Sequence, residues 1–388
     1  MINLDNAAAA RLDAKALEAM LPYLTGDEYL NPSAAYLPAL AVARKYEAAK
    51  NQIASLVNAS GNNLIMTSGA TEANNLALSA ARGFAGSAVL VSPFEHPSVV
   101  ASAAHGCGSV EVLRATPDGF VDLTDLAAHV TDETVLVSVA LTSGDLGTIQ
   151  PIREISEIIH RTRQERIKRD LRMPIWLHVD ASQGLEVLEV NIARLGADML
   201  TLNSGKLHGP KGVGALFVAP AMGINLTPLI YGGGQEAGMR SGTENVAGVM
   251  GFAEAVRQIA KHRKATFRQL QEYKTELRAA LVESFGAGVV FLGNPKKQLV
   301  SHLPISFPDY DAERLIFALE NSGILVSTGS ACAARKNEVS PALRAIGATD
   351  EVIAGSLRIS LSSENSCREI PRIISALRLA LTDENRAI

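Results

Sequence analysis

The sequence has few cysteines: Cys107, Cys332 and Cys367 are the only three in 388 residues. They are too few and too widely spaced for a disulfide framework or for clustered metal ligands, so we expect no metal site. The chain also lacks an apolar run of about 18 residues, which a membrane-spanning helix requires. Residues 1–5 have neither the basic nor the apolar region of a signal peptide. These absences predict a cytoplasmic protein.

A strong net charge is absent as well. The 36 basic and 40 acidic side chains leave a formal charge of −4. This balance gives no electrostatic basis for direct binding to nucleic acid or to a membrane. With 47% hydrophobic residues, the chain is an ordinary globular protein, long enough for one large core and a smaller domain.

Short apolar segments alternate with helical segments over the first two hundred residues. We expect strands at 64–66, 88–91, 109–113, 135–141, 175–179, 199–202 and 214–218. This alternation predicts an α/β fold with a mostly parallel sheet that is covered by helices on both faces. Ligands of such sheets lie beyond the carboxyl ends of the strands.

The pattern changes in the last third of the chain. A long helix is expected at 244–263, then a further helix from about 266, a strand at 299–307 and a helix at 311–323. These elements predict a smaller α+β domain. We therefore assign residues 14–262 to the large domain, and residues 1–13 and 263–388 to the small domain that carries Cys332.

The most informative segment is 198–218, DMLTLNSGKLHGPKGVGALFV, in which two apolar strands flank a polar turn. The turn holds Lys206 between a glycine and a leucine, where an ammonium can lose water and act as an amine nucleophile. A solvated loop lysine is the alternative, and Lys211 illustrates it. The upstream strand ends at Asp180. A lysine and an acid at neighbouring strand ends are what pyridoxal phosphate requires.

Two other motifs follow strand ends. In residues 67–72, TSGATE, a strand runs through a glycine turn into a helix, which creates an anion site from free backbone N–H groups. The alternative is that Thr71 only caps the helix. His96 follows the next strand, and taken alone it fits a polar residue at a helix start better than a cofactor contact.

These motifs, in this order, resemble those of the cysteine desulfurases in the class V aminotransferase group, which are fold-type I pyridoxal phosphate enzymes. The likeness spans almost the whole chain. The matching segments are LDNAA at 4–8, NPS at 31–33, TSGATEANN at 67–75, EH at 95–96, HVDASQ at 178–183, GPKGVG at 209–214, MRSGT at 239–243 and VSTGSAC at 326–332.

The resemblance implies a role for each site residue. Lys206 would be the catalytic Schiff-base lysine, Asp180 would pair with the pyridinium nitrogen, His96 would stack on the ring and take part in catalysis, and Gln183 would approach the phenolic oxygen. Further cofactor contacts are implied at Ala70, Thr71, Asn203, Ser204 and Thr243, the last from the other subunit of a homodimer. Arg358 and Asn31 would bind the substrate. Arg358 would pair with the carboxylate of the substrate.

Cys332 is the implied sulfur acceptor. It lies among small and polar residues near Arg335 and Lys336, which favour an exposed, ionised and therefore nucleophilic thiol. A buried, inert thiol is the usual alternative, and it suits Cys107 better. The Gly-Ser-Ala-Cys form resembles the long-loop group, whose loop reaches acceptor or scaffold proteins.

The implied function is conversion of L-cysteine to L-alanine, with a persulfide on Cys332 that supplies iron–sulfur cluster assembly or tRNA thiolation. Gly144, Gly205 and Ala237 depart from the family, which has asparagine, histidine and arginine at these positions. The alternatives are a selenocysteine lyase or another β-elimination enzyme on the same scaffold, and a degenerate, non-catalytic partner in sulfur transfer.

Overall fold

The computed structural model describes residues 1–84, 86–220, 224, 226–328 and 340–386. Its strands are β1 (Ile2–Asn3), β2 (Leu64–Thr67), β3 (Ala88–Val91), β4 (Ser109–Val112), β5 (Thr134–Ala140), β6 (Trp176–Asp180), β7 (Met199–Asn203), β8 (Gly214–Val218), β9 (Val290–Phe291), β10 (His302–Ser306), β11 (Ile324–Leu325) and β12 (Ser356–Ser360). Its α-helices are α1 (Ala14–Leu24), α2 (Leu37–Ser55), α3 (Ala70–Leu78), α4 (Pro97–Ala104), α5 (Leu123–His129), α6 (Ile152–Lys168), α7 (Ile192–Leu195), α8 (Val246–Phe285), α9 (Ala312–Asn321), α10 (Pro341–Ala345), α11 (Asp350–Ala354) and α12 (Ile370–Ala380).

A seven-stranded sheet in the order β2-β8-β7-β6-β5-β3-β4 forms the centre of the molecule. Strand β8 runs against both of its neighbours, and the strands from β2 through β7 all point the same way. Every residue of β5 and β6 is buried, as expected for strands covered on both faces. The predicted α/β fold is confirmed, and the carboxyl ends of its parallel strands meet at one edge.

The helices that border this edge begin at well-defined caps. The helical pattern that follows Asp13 predicts this residue as an N-cap, and its side chain accepts hydrogen bonds from the backbone N–H groups of Lys15 and Ala16 at the start of α1. The apolar pattern of residues 73–81 predicts a helix over that range, but helix α3 begins three residues earlier, at Ala70, and its N-cap is Gly69. Thr71 is therefore inside the first turn and does not cap this helix.

Helix α8 is 40 residues long and continues well beyond residue 263, where we expected the first helix to end. The reason is visible in the sequence: residues 252–285 contain neither glycine nor proline, and the buried apolar repeat persists through Leu270, Leu277 and Leu281. The expected boundary at 262/263 falls inside this helix, and the domain limits remain a prediction. No helix in the described part of the chain, α8 included, combines the length and apolarity that a bilayer crossing needs.

A second hydrophobic core lies beside the main sheet. It contains the antiparallel sheet β9-β10-β12, the second half of α8, and helices α9 and α12. The N-terminus belongs to this core, because β1 pairs in parallel with β11 and Leu4 is fully buried there. This unit is the smaller α+β part that the sequence predicts.

Lys274 on α8 carries a buried amine in this second core. Its Nζ donates to Gln298 Oε1 at 2.7 Å and to the Leu299 carbonyl at 2.9 Å. Burial, with a smaller effect of Arg278, lowers the pKa of Lys274 to about 7. Gln298 Nε2 in turn donates to the Leu146 carbonyl at 2.7 Å, which links α8 to the segment after β5.

We expect Lys274 to make stability depend on pH. Between pH about 7 and its usual pKa of 10.5, the unfolded chain holds a proton on Lys274 that the folded chain lacks, so the free energy of unfolding rises with pH there. The slope approaches about 1.4 kcal/mol per pH unit. Between pH 7 and pH 9, the thermal midpoint of the wild type should rise relative to that of Lys274→Met. A difference that stays constant over this range would contradict the assignment.

Candidate active site

Asp180 is the last residue of β6 and is only 7% exposed. One carboxylate oxygen accepts from Asn74 Nδ2 at 2.8 Å, and the other accepts from the Ser182 backbone N–H at 2.9 Å. Asn74 is fully buried on α3, so one donor comes from a neighbouring helix and the other from the turn that directly follows β6. This is a rigid acid at the carboxyl edge of the sheet.

Lys206 ends the short 3₁₀ turn Ser204–Lys206 that follows β7. The turn is shaped by Asn203, whose Oδ1 accepts from the Gly205 N–H at 3.1 Å. Lys206 is half-buried, and its Nζ donates to the Ala7 carbonyl at 2.6 Å and to the Ala8 carbonyl. The predicted turn between two strands is present, and its lysine points to the N-terminal segment.

His96 is the N-cap of α4, and its Nδ1 accepts from the Ser98 backbone N–H at 3.1 Å. Ser98 Oγ lies 2.8 Å from the same nitrogen and accepts from Asn74 Nδ2 at 2.9 Å, which connects His96 to Asp180. Partial burial lowers the pKa of His96, while Asp180 raises it and Lys206 lowers it further. His96 therefore lies close enough to both Asp180 and Lys206 for their charges to act on it.

The start of α3 borders the same edge. Gly69 has a φ of 151°, and a Cβ placed there would meet no atom within 4 Å. Gly214 packs behind it, since a Cβ on Gly214 would lie 2.6 Å from the Gly69 carbonyl carbon. Thr71 is exposed and Ala70 is half-buried in the first helical turn, where backbone N–H groups have no helical acceptor. This is an open cradle suited to an anion.

Neutral polar groups lie beneath Asp180. His178 is fully buried on β6, with Nδ1 2.9 Å from Ser138 Oγ and Nε2 3.0 Å from Thr201 Oγ1. Burial lowers the pKa of His178 to about 4, so its imidazole is neutral at pH 7. Burial, and then Asp180, raise the pKa of Glu95, which accepts from Ser138 Oγ at 3.2 Å. Both shifts favour the uncharged forms of His178 and Glu95 near the Asp180 carboxylate.

The other expected cofactor and substrate residues differ in their surroundings. Gln183 is half-buried and its Nε2 donates to the Ala7 carbonyl at 2.9 Å, beside Lys206. The Ser204 hydroxyl is buried and has no hydrogen-bond partner among the described residues; Gly209 packs against it. Asn31 and Thr243 are exposed, and within the described ranges no hydrogen bond joins either to the Asp180 group.

The segment that carries Thr243 is held by a buried carboxylate. Glu236 accepts from Tyr46 Oη at 2.6 Å, from Lys50 Nζ at 2.9 Å and from the Met66 N–H at 3.0 Å. Glu236 and Ala237 both have a positive φ, 48° and 56°, an unfavourable conformation that this anchor maintains. The anchor fixes the path of the chain that leads to Thr243.

A second link joins this segment to the cradle. Arg240 Nε donates to Glu72 Oε1 at 3.1 Å, and Glu72 lies in the first turn of α3. The other carboxylate oxygen of Glu72 accepts from the Ser68 N–H at 2.8 Å. Residues 236–243 are therefore positioned next to the open end of α3.

Arg358 lies on β12 and is 7% exposed. Its Nη2 is 2.6 Å from Asp5 Oδ1, and its Nη1 is 3.8 Å from Asp145 Oδ1. Asp145 Oδ2 accepts from Ser340 Oγ at 2.8 Å. Burial raises the pKa of Asp145 to about 6, and Arg358 opposes that rise. The expected substrate arginine is thus held between two carboxylates.

Comparisons with known proteins identify the family of this chain. The family model for class-V aminotransferases matches residues 2–373. Cysteine desulfurase IscS 1 of Archaeoglobus fulgidus is 36% identical over 385 residues, which is 96% of this chain and 95% of that protein. The chain belongs to the cysteine desulfurases of the class-V aminotransferase family. The resemblance seen in the motifs is confirmed.

Other relatives extend this result. Cysteine desulfurase IscS of Clostridium botulinum (strain Hall) is 32% identical, over 97% of this chain and 93% of that protein. A solved NifS-like protein superposes with a TM-score of 0.87 at 28% identity and covers 98% of this chain and 99% of its own. SspA, solved in complex with cysteine, has a TM-score of 0.77 at 28% identity, with 93% of this chain and 99% of SspA covered.

Members of this family depend on pyridoxal phosphate, and the residues described above fit that group. The open cradle in front of Gly69 suits a phosphate, because its donors are backbone N–H groups and no atom of the described residues lies within 4 Å of a Cβ placed there. Asp180 offers a buried acid and Lys206 offers an amine at the same edge of the sheet.

Cys332 lies outside the described residues, as do Arg335 and Lys336, so its role remains a prediction. The other two thiols are described. Burial raises the pKa of Cys107, and it raises the pKa of Cys367 to about 11 with help from Glu276. Neither is a ready thiolate at neutral pH.

Two departures from the family pattern leave open space. A Cβ on Gly144 would meet no atom within 4 Å, and a Cβ on Gly205 would come no closer than 3.5 Å, to Lys211 Cγ. Neither glycine has a positive φ. Among the described residues, neither the backbone nor the packing requires glycine at these two positions.

Sequence reasoning gave no role to several residues of the site, namely Asp5, Asn74, Glu95, Ser98 and Asp145. Asn74 was detectable, because it is an amide in the buried stripe of α3 between Ala73 and Leu76. Asp145 and Asp5 gave no such signal, since their partners are distant in sequence.

Proposed function

We propose that this protein is a pyridoxal-phosphate-dependent cysteine desulfurase that forms L-alanine and a persulfide on Cys332. The observation that carries the proposal is the convergence of Asp180, His96 and Lys206 on one space at the carboxyl edge of the sheet. The cysteine desulfurases to which the chain is similar support the substrate, L-cysteine.

Residues of this chain would divide the work of holding the cofactor. Asp180 would keep the ring nitrogen protonated, His96 would cover the ring face, and Gln183 would donate to the phenolic oxygen. Ala70 and Thr71 would bind the phosphate through the first turn of α3, with further contacts from Asn203, Ser204 and the partner subunit's Thr243. When bound, pyridoxal phosphate supplies an electron sink for the substrate α-carbon.

The remaining residues would act on the substrate. Arg358 would pair with the carboxylate of L-cysteine, with Asn31 close by, and Lys206 would move the α-proton. The Cys332 thiolate would attack the substrate sulfur, so that an S–S bond forms as the Cβ–S bond breaks. The electron pair of the broken bond stays on Cβ, which takes up a proton and becomes the methyl group of alanine. No external oxidant is needed.

The direct test is incubation of the purified protein with L-cysteine, measuring alanine and protein-bound persulfide. Equal amounts of both are expected. Release of selenide from L-selenocysteine without a matching cysteine reaction would favour the lyase alternative. Absence of alanine from a protein loaded with pyridoxal phosphate would favour the non-catalytic partner, which the unfilled space at Gly144 and Gly205 would then explain.

A homodimer is part of this proposal, because the family resemblance assigns Thr243 to the phosphate site of the other subunit, and Thr243 is exposed on this one. Several large apolar side chains are also exposed on the single chain, among them Leu24 at 55%, Leu37 at 76% and Tyr231 at 76%. Light scattering should give twice the chain mass of 41.0 kDa. A monomer with full turnover would exclude the role of Thr243. A sulfur-acceptor or scaffold protein is the further partner that we propose for the loop of Cys332.

A further inference from the structure

Residues 5–10 connect the two parts of the candidate active site. Before them, β1 pairs with β11 and anchors the chain in the second core. After them, the Ala10 N–H donates to the Gly205 carbonyl at 3.1 Å, in the turn of Lys206. Between these points, the Ala7 and Ala8 carbonyls accept from Lys206 Nζ. We call residues 5–10 the N-terminal strap.

Asp5 starts the strap, and its backbone is firmly held. Its N–H donates to Asn3 Oδ1 at 3.0 Å, and the residue forms a parallel bridge with Ser360 of β12. Two residues further, the Ala7 N–H donates to Ser360 Oγ at 2.9 Å. The Asp5 carboxylate therefore reaches Arg358 from a backbone that is tied to the same strand.

Among the described residues, Arg358 lies near two acids, and its contact with Asp5 is the closer of the two. At 2.6 Å it is a charge-assisted hydrogen bond to a nearly buried guanidinium. The Asp145 oxygen is 3.8 Å away, beyond hydrogen-bond distance, and the other oxygen of Asp145 is engaged by Ser340. Asp5 thus fixes the plane of the fork, and Asp145 does not.

We propose that Asp5 is a positioning residue, which orients the Arg358 guanidinium toward the carboxylate of L-cysteine while the same strap holds Lys206. The inference rests on the proposed function for its substrate. A planar guanidinium binds a carboxylate through two parallel N–H groups only when the plane is correctly turned. Asp5 uses one N–H of Nη2 and leaves the other donors of the fork for the substrate. Without its carboxylate, the fork is free to turn toward Asp145.

The test measures ligand binding without turnover. In a Cys332→Ser protein loaded with pyridoxal phosphate, calorimetry gives the dissociation constants of L-cysteine and of L-cysteine methyl ester, with Asp5 intact and with Asp5→Asn. The ester lacks the carboxylate that Arg358 would bind. We expect Asp5→Asn to raise the dissociation constant of L-cysteine by about ten- to a hundredfold. The dissociation constant of the ester should rise by less than about twofold.

Glu364→Gln is the matched control. Glu364 is also a carboxylate paired with an arginine near the strap, but its 3.5 Å pair with Arg11 is exposed on both sides. Such a pair contributes little, so both ligands should bind as in the parent protein. Asp5→Glu, which restores the charge on a longer side chain, should recover part of the L-cysteine affinity.

Each outcome decides the proposal. Weakening of L-cysteine alone supports it. Equal weakening of both ligands shows that Asp5 has a general structural role, and no weakening shows that Arg358 is oriented without it; either result overturns the proposal and leaves the proposed function intact. If the parent protein binds L-cysteine but makes no alanine once Cys332 is restored, the proposed function is wrong. The comparison of L-cysteine with its ester still tests the role of Asp5 in that case.

Discussion

A Cys332→Ser protein should bind pyridoxal phosphate and L-cysteine like the wild type and yet form almost no alanine or persulfide. The substitution removes the sulfur nucleophile, because the hydroxyl of serine does not ionise at neutral pH and cannot accept sulfur as a persulfide. It leaves the group around Asp180 and Lys206 unchanged. Alanine formation and persulfide labelling measure the two halves of the reaction, and both should fall together.

The matched controls are Cys107→Ser and Cys367→Ser. Both thiols have a raised pKa, and both are half-buried, so neither variant should change the rate. A Cys332→Ser protein that still releases alanine and sulfide at the wild-type rate would refute the assignment. Sulfur would then leave without a protein thiol, and a lyase would be the better description of the enzyme.

Lys206→Ala should lose turnover almost completely and hold pyridoxal phosphate only loosely. The wild type is expected to be yellow when purified, because the Lys206 amine would bind the cofactor aldehyde covalently. Without that amine, the cofactor is held only by its hydrogen bonds, and no base remains for the α-proton. The loss of general acid–base catalysis alone is worth about 10²–10⁴-fold in rate. Visible absorbance after gel filtration and alanine formation are the two measurements.

Lys211→Ala is the control for this variant, since Lys211 is an exposed lysine in the same turn region. It should remain yellow and active. If Lys206→Ala kept its colour and rate while Lys211→Ala lost them, the lysine of the site would have been assigned wrongly. A wild type that stays colourless after incubation with pyridoxal phosphate would favour the non-catalytic alternative.

Local patterns were enough to predict the sheet and its functional edge. Buried parallel strands are continuous apolar runs, and the residues directly after such a run lie at the carboxyl edge of the sheet whatever the rest of the chain does. For this reason Asp180, His96 and Lys206 could be placed together from sequence. The strand limits were correct within one or two residues for β2 through β8.

Helix limits were less certain, because they depend on packing over a distance. The predicted helix end at residue 263 was wrong, because α8 continues to Phe285. Its later turns bury Leu270 and Leu277 in a second core, which the local sequence pattern does not reveal. The start of α3 was late by three residues for a similar reason. Gly69 is held by Gly214, a residue on another strand.

The amino-acid sequence by itself determined the α/β sheet, the lysine turn after β7, the acid at the end of β6 and the family to which the chain belongs. The tertiary structure alone decided which side chains hold them in place. Asn74 meets Asp180 across 106 positions, and Asp5 meets Arg358 across 353. The physical reason is that a hydrogen bond depends on distance and direction in space, and strand and helix periodicities fix these only between near neighbours in the chain.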